Sequence, residues 1–310
     1  MKRIYFFCCL ILLARCKSSS DEQAQNAVDA VKPRHVYDYC YATSSGIFVF
    51  TAEDRVGRHL KLDATDVQLS PDGTWLAFTQ SDSTGDRMIG LMDLETEKTR
   101  ILDTACHNCY GPVWSPDEKY LAYNAYTGSE WGVKYVDTAG THADFIARPQ
   151  DGHGYYSPSW APDGKRVIVQ DMSAVYFIDM KGTILQTVAF NDIDTNITGS
   201  SNMRFLLTSK EDRLIYSSGN KLDTVAAPNS EDTPNYIFSY DMQSKKVTRL
   251  TAGKYNCFFP VLRGDTIFCH GWDPQGDPHQ MTNLYRLDLD GGNFRLAFKS
   301  CSYFSCRTRP

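Results

Sequence analysis

Val67-Gln68-Leu69-Ser70-Pro71-Asp72-Gly73 returns without gaps as Pro112-Val113-Trp114-Ser115-Pro116-Asp117, and again as Pro158-Ser159-Trp160-Ala161-Pro162-Asp163-Gly164. The turn prolines lie 45 and 46 residues apart. Proline presets the φ of the first turn corner, aspartate bonds the backbone ahead of it, and glycine accepts a left-handed conformation, so each copy reads as a tight hairpin turn. A strand is expected after each, over 75–79, 120–124 and 166–170. Two weaker copies extend the series, Phe205-Leu206-Leu207-Thr208-Ser209-Lys210-Glu211-Asp212 and Pro260-Val261-Leu262-Arg263-Gly264-Asp265, with strands at 214–217 and 266–270. A second column, strands ending in Asp93, Asp137, Asp179, Asp241 and Asp288, gives each repeat a third strand and a short fourth.

The chain ends supply a sixth unit. Residues 36–41, 47–50 and 59–62 match the second to fourth strands of a repeat that lacks its first, and 303–307 match a lone first strand. Joined, they bury two open sheet edges, which predicts an all-β, six-bladed propeller of four-stranded blades closed by N-terminal strands pairing with a C-terminal strand. A β-sandwich would not produce a period of about 45 residues. An aromatic content of 13% also favours strands.

The recurring Trp-Ser-Pro-Asp-Gly type turns resemble the WD40-like, or PD40, repeats of TolB-type six-bladed propellers over residues 36 to 308. The resemblance implies the fold strongly and an activity weakly. TolB carries an α/β domain before its propeller, and this chain is expected to be a propeller alone.

Lys2 and Arg3 precede an uncharged apolar run, residues 4–14, far below the ~20 residues needed to span a bilayer. It reads as an export signal ending in Leu13-Ala14-Arg15-Cys16, which resembles a bacterial lipobox with Cys16 as the lipidated residue. Residues 1–16 are thus expected to be a lipoprotein-type signal, 17–35 a flexible polar tether, and 36–310 the propeller. The expected location is the bacterial cell envelope, lipid-anchored or periplasmic, and the expected state a monomer. A net charge of −5 argues against nucleic acid as a partner.

Strand alternation sorts the reactive residues. The connections entering first strands share a face with those between second and third strands, and the Pro-Asp turns lie on the other. On the first face fall His107, Tyr126, Trp131, His153, Tyr255, His270, Trp272 and His279, the candidates for a binding surface. Four of these, His107, His153, His270 and His279, are also the candidate ligands of a transition metal, with Cys106 and Cys109 flanking His107. Oligogalacturonate lyases, propellers of this broad class with a His-based metal site, supply a precedent, but no residue of theirs carries over. Beyond Cys16 the expected disulfides are Cys257–Cys269 across one hairpin and Cys40–Cys306 across the composite blade, with Cys301 an alternative partner. No G-x-S-x-G elbow occurs. The aspartates that recur in every repeat read as turn formers, so no catalytic residue is assigned. The function expected is a non-catalytic binding or scaffold propeller that engages an envelope protein or glycan without a cofactor. The alternative is a metal-assisted polysaccharide lyase or hydrolase.

Overall fold

The computed structural model describes residues 34–309 except 44, 55–56, 151, 220–233, 254 and 274–281. Its strands form six four-stranded antiparallel sheets. Blade 1 is Thr65–Leu69, Trp75–Ser81, Arg87–Asp93 and Thr99–Ile101, and blade 2 is Cys109–Trp114, Tyr120–Tyr126, Trp131–Asp137 and Ala143–Ala147. Blade 3 is Tyr156–Trp160, Arg166–Gln170, Ala174–Asp179 and Ile184–Ala189. Blade 4 is Leu206–Leu207, Arg213–Gly219, Asn235–Asp241 and Val247–Arg249, and blade 5 is Asn256–Arg263, Thr266–Trp272, Asn283–Asp288 and Arg295–Phe298. Blade 6 is composite: the C-terminal Ser302–Cys306 is its first strand, followed by Tyr39–Thr43, Gly46–Phe50 and Arg58–Leu60. First strands touch from blade to blade and blade 6 touches blade 1, so the ring is closed.

The recurring turn works as its residue types dictate. Ser70 Oγ donates to Asp72 at 2.6 Å and accepts the Trp75 N–H at 2.9 Å; Ser115 repeats this with Asp117 and Tyr120, at 2.8 and 3.0 Å. In blade 4 Thr208 takes the serine position, bonding Asp212 at 2.6 Å and Arg213 at 3.2 Å. Burial opposes ionisation of Asp72, but hydrogen bonds from Ser70 and Thr74 outweigh it and hold the carboxyl below its ordinary range. The aspartates ending third strands accept backbone N–H groups in the same manner, for example Asp93 from Glu95 and Thr96 and Asp241 from Gln243 and Ser244. The repeated carboxylates are therefore committed to turns.

Blades pack face to face through buried aliphatic side chains such as Leu76, Leu91, Leu121 and Val167. The motif tryptophans add directional ties: Trp114 Nε1 donates to the Gln68 carbonyl at 3.0 Å and Trp160 Nε1 to the Val113 carbonyl at 3.1 Å, each reaching the first strand of the preceding blade. The closing seam is built differently. Tyr39 stacks on Phe50 and Phe304 and meets Phe268 edge-on, with the Arg263 guanidinium 4.7 Å from its ring centre. Beside it the buried Asp38 accepts from Arg263 and Arg307, both at 2.8 Å, and from the Ala52 N–H at 2.8 Å. Three parts of the chain remote in sequence thus meet on one carboxylate.

The composite blade corrects one expected disulfide. Its register sets Tyr39 opposite Cys306 and Cys40 opposite Ser305, and residues opposed across a ladder share a sheet face while neighbours along a strand do not. Cys40 therefore packs toward blade 1 and Cys306 toward blade 5, and both are free thiols. Cys257 and Cys269 share the core between blades 4 and 5 with their thiols in contact, also unbonded. The bond present joins Cys106 to Cys109. Burial pushes the Cys301 and Cys306 thiols up to about 12, which makes them poor nucleophiles.

Candidate functional site

A strand that points straight through a ring shows the channel only what its pleat allows. Here first strands carry a bulge, a register shift at Thr65/Gln68 in blade 1, Tyr110/Val113 in blade 2, Tyr156/Ser159 in blade 3 and Phe258/Val261 in blade 5, with another in blade 6. At each bulge one residue has positive φ: Asp66 (49°), Gly111 (68°), Ser157 (51°), Phe259 (49°) and Tyr303 (49°). A bulge turns its extra residue out of the ladder. Arg204 holds the same place in blade 4, three residues before Leu207 as Asp66 stands three before Leu69. All six line one central cavity of about 510 Å³.

The bulges need acceptors for their freed N–H groups, and second strands supply them. Thr79 Oγ1 accepts the Gly111 N–H at 3.0 Å, Asn124 Oδ1 the Ser157 N–H at 2.9 Å, and His270 Nε2 the Phe304 N–H at 3.2 Å. Thr79, Asn124 and His270 occupy one register position, opposite Thr65, Tyr110 and Phe258. His270 is thus the histidine version of a clip between blades. It is only 4% exposed, burial pulls its pKa down to about 4, and its accepting Nε2 fixes the neutral form with the proton on Nδ1.

At the mouth, Arg87 lies 4.3 Å from the Tyr110 ring centre and 5.5 Å from that of Trp131, and its Nε donates to Asn108 at 2.9 Å. Tyr126 joins the group, its ring 5.1 Å from Trp131. The Asn108 carbonyl accepts the Tyr126 N–H at 3.0 Å, which brings a first-strand entrance against a second-to-third connection on the same face. Tyr126 and Trp131 are therefore gathered into one aromatic and cationic patch at the channel rim. Trp272 sits edge-on to the channel-lining Phe258 at 5.4 Å.

Other candidates go elsewhere. His107 is exposed with Asp86 3.4 Å away, above the bonded Cys106 and Cys109, and His153 is exposed in its own turn with Gln150. Tyr255 packs on Tyr285 and Phe294, and His279 and Cys16 lie outside the described residues. Among the described residues no three His, Cys, Asp or Glu side chains form a group that could hold a metal. His107, His153 and His270 are not brought together, the Cys106 and Cys109 sulfurs are joined to each other, and His270 Nε2 is occupied. Sequence reasoning passed over the inward ring, although Asp66, Gly111 and Ser157 each stand five residues before a turn proline.

No protein-family model matches the chain and no curated protein matches it. Solved structures do. A TolB-like protein from Agrobacterium tumefaciens aligns at 15% identity and a TM-score of 0.60, covering 87% of this chain and 92% of that one. TolB from Acinetobacter baumannii aligns at 14% identity and 0.60, covering 93% and 71%. An oligogalacturonate lyase in complex with manganese aligns at 13% identity and 0.51, covering 84% and 78%. The fold of this chain is the TolB-like six-bladed β-propeller.

Proposed function

We propose that this chain is a non-catalytic binding or scaffold propeller of the bacterial cell envelope that engages a protein or glycan partner through the channel-mouth face. The observation that carries this reading is the division of labour between faces. The repeated carboxylates are consumed in turns on one face, while the other bears the Arg87, Tyr110, Tyr126 and Trp131 patch beside a cavity of about 510 Å³. Aromatic and arginine side chains are the residue types that anchor interfaces. In this reading residues 1–16 export the chain, Cys16 carries a lipid, 17–35 tether it, and 36–310 act as a monomeric propeller built from PD40-type repeats. The alternative, a metal-assisted polysaccharide lyase or hydrolase, rests on likeness of fold to the manganese-bound lyase alone.

A photo-crosslinking residue installed at Tyr126, with Lys245 on the turn face as control, tests the assignment in the native envelope. Adducts confined to position 126 and reduced by Trp131→Ala support it. Equal labelling at both positions, or labelling at 245 alone, refutes it.

A further inference from the structure

The inward positions form a ring in which each blade contributes one residue, so side chains three blades apart face each other across the channel. Asp66 comes from blade 1 and Arg204 from blade 4. They are the only pair of opposite formal charges in the ring, and they stand at opposite poles. Between them on one side lie Phe259 and Tyr303, 47% and 45% exposed, among the largest apolar surfaces the chain leaves uncovered. On the other side lie Gly111 and Ser157, whose small side chains leave the volume open.

Among the described residues neither Arg204 nor Asp66 takes part in an ion pair, the buried Nε of Arg204 has no hydrogen-bond partner, and the Asp66 carboxylate accepts one long contact from the adjacent Thr65 hydroxyl, 3.4 Å. Burial pulls down the pKa of the Arg204 guanidinium, with Asp66 and Tyr110 opposing; the charge is retained, since arginine stays protonated in proteins. A buried donor without an acceptor costs on the order of 1–3 kcal/mol, and the charged guanidinium stands at the channel wall with no ion pair among the described residues.

We infer that the channel is a binding site for a small zwitterion with an apolar side chain, an amino acid or a peptide of two or three residues with both ends free. Its carboxylate sits on Arg204, its ammonium turns toward Asp66, and its side chain lies against Phe259 and Tyr303. A simple anion would leave Asp66 facing it across the cavity, a simple cation would meet Arg204, and a neutral apolar molecule would strand both charges. A ligand carrying both signs at its two ends meets both charged poles of the inward ring, below Arg87 at the mouth. The cavity of about 510 Å³ falls within the range of roughly 300–1,000 Å³ typical of small-molecule pockets. This inference rests on the channel-mouth face being the binding face, but it concerns the cavity below the rim and not the partner above it.

The test is calorimetric titration of the full chain with the dipeptide Leu-Phe, N-acetyl-Leu-Phe and Leu-Phe amide. Leu-Phe should bind saturably, and blocking either end should weaken it by at least about tenfold, because each block strands one charged wall. Arg204→Gln should lose the discrimination against the amide and keep that against the acetyl form; Asp66→Asn should do the reverse. The three peptides on the unaltered chain decide the question even if a variant fails to fold. No saturable binding of Leu-Phe up to millimolar concentration, or equal affinity for free and blocked peptides, overturns the inference. Crosslinking at Tyr126 is read independently, so failure of the cavity assignment and failure of the face assignment give different results.

Discussion

His270→Asn isolates a pH dependence that the fold writes into one clip between blades. In the native chain Nε2 of His270 accepts the Phe304 N–H at 3.2 Å, and burial moves the imidazole from its ordinary 6.5 to about 4. As pH falls below 6.5 the unfolded chain takes up a proton that the folded chain refuses, so stability declines until pH reaches about 4 and this group contributes no further loss below that. At 1.36 kcal/mol per pH unit the decline amounts to about 3 kcal/mol, or roughly 6–12 °C in melting temperature for a domain of this size. Asparagine serves at the same register position in blade 2, where Asn124 accepts the Ser157 N–H, so His270→Asn keeps an acceptor and removes the titration. Thermal unfolding followed by circular dichroism between pH 7 and pH 4 should show the native chain losing stability more steeply than the variant. The carboxylates of Asp38, Asp72 and Asp103, held below their ordinary range, act in both proteins alike and cancel in the difference. Superimposable pH profiles would refute the reasoning.

Two further substitutions probe the ring itself. Asp38→Asn weakens the three-way meeting of Arg263, Arg307 and Ala52 and should cost about 2–4 kcal/mol, against no measurable change for the exposed control Asp63→Asn; chemical denaturation at pH 7 checks it, and the difference should shrink as pH falls through the depressed pKa of Asp38. Trp160→Phe deletes one buried bond to the Val113 carbonyl while keeping most of the ring's bulk, and should cost about 1–2 kcal/mol with an unchanged circular dichroism spectrum; an unaltered midpoint would show that the tie between blades is dispensable.

The period of the turns was enough to find the blades because each Pro-Asp corner is a local structure, decided by residues within reach of one another. Even the composite blade was legible, since the N-terminal unit lacked a first strand and the C-terminal strand lacked the rest of its blade. What stayed hidden depends on register and on bulges. Cys40 and Cys306 lie on neighbouring strands, but the register sets Cys306 opposite Tyr39 and Cys40 opposite Ser305, which sends the two thiols to opposite sheet faces. Bulges expel Asp66, Ser157 and Phe259 into the channel, and no hydrophobic pattern records them. His270 looked like chemistry because histidine is rare and versatile. Only its alignment with Thr79 and Asn124 through the strand register reveals an acceptor role that any suitable oxygen can fill.

The composite blade also has a mechanical meaning. Tyr39–Thr43, the first strand after the N-terminal segment, is not an edge: it is hydrogen-bonded to Ser302–Cys306 on one side and Gly46–Phe50 on the other. Tension applied through the N-terminus, as a membrane tether would apply it, pulls this strand along its own length against both neighbours. The bonds of both ladders then carry the load in shear, together, where an edge strand would peel away one bond at a time. A chain held by its N-terminus is thus fastened to the ring through an inner strand, paired on both sides, and not through an edge.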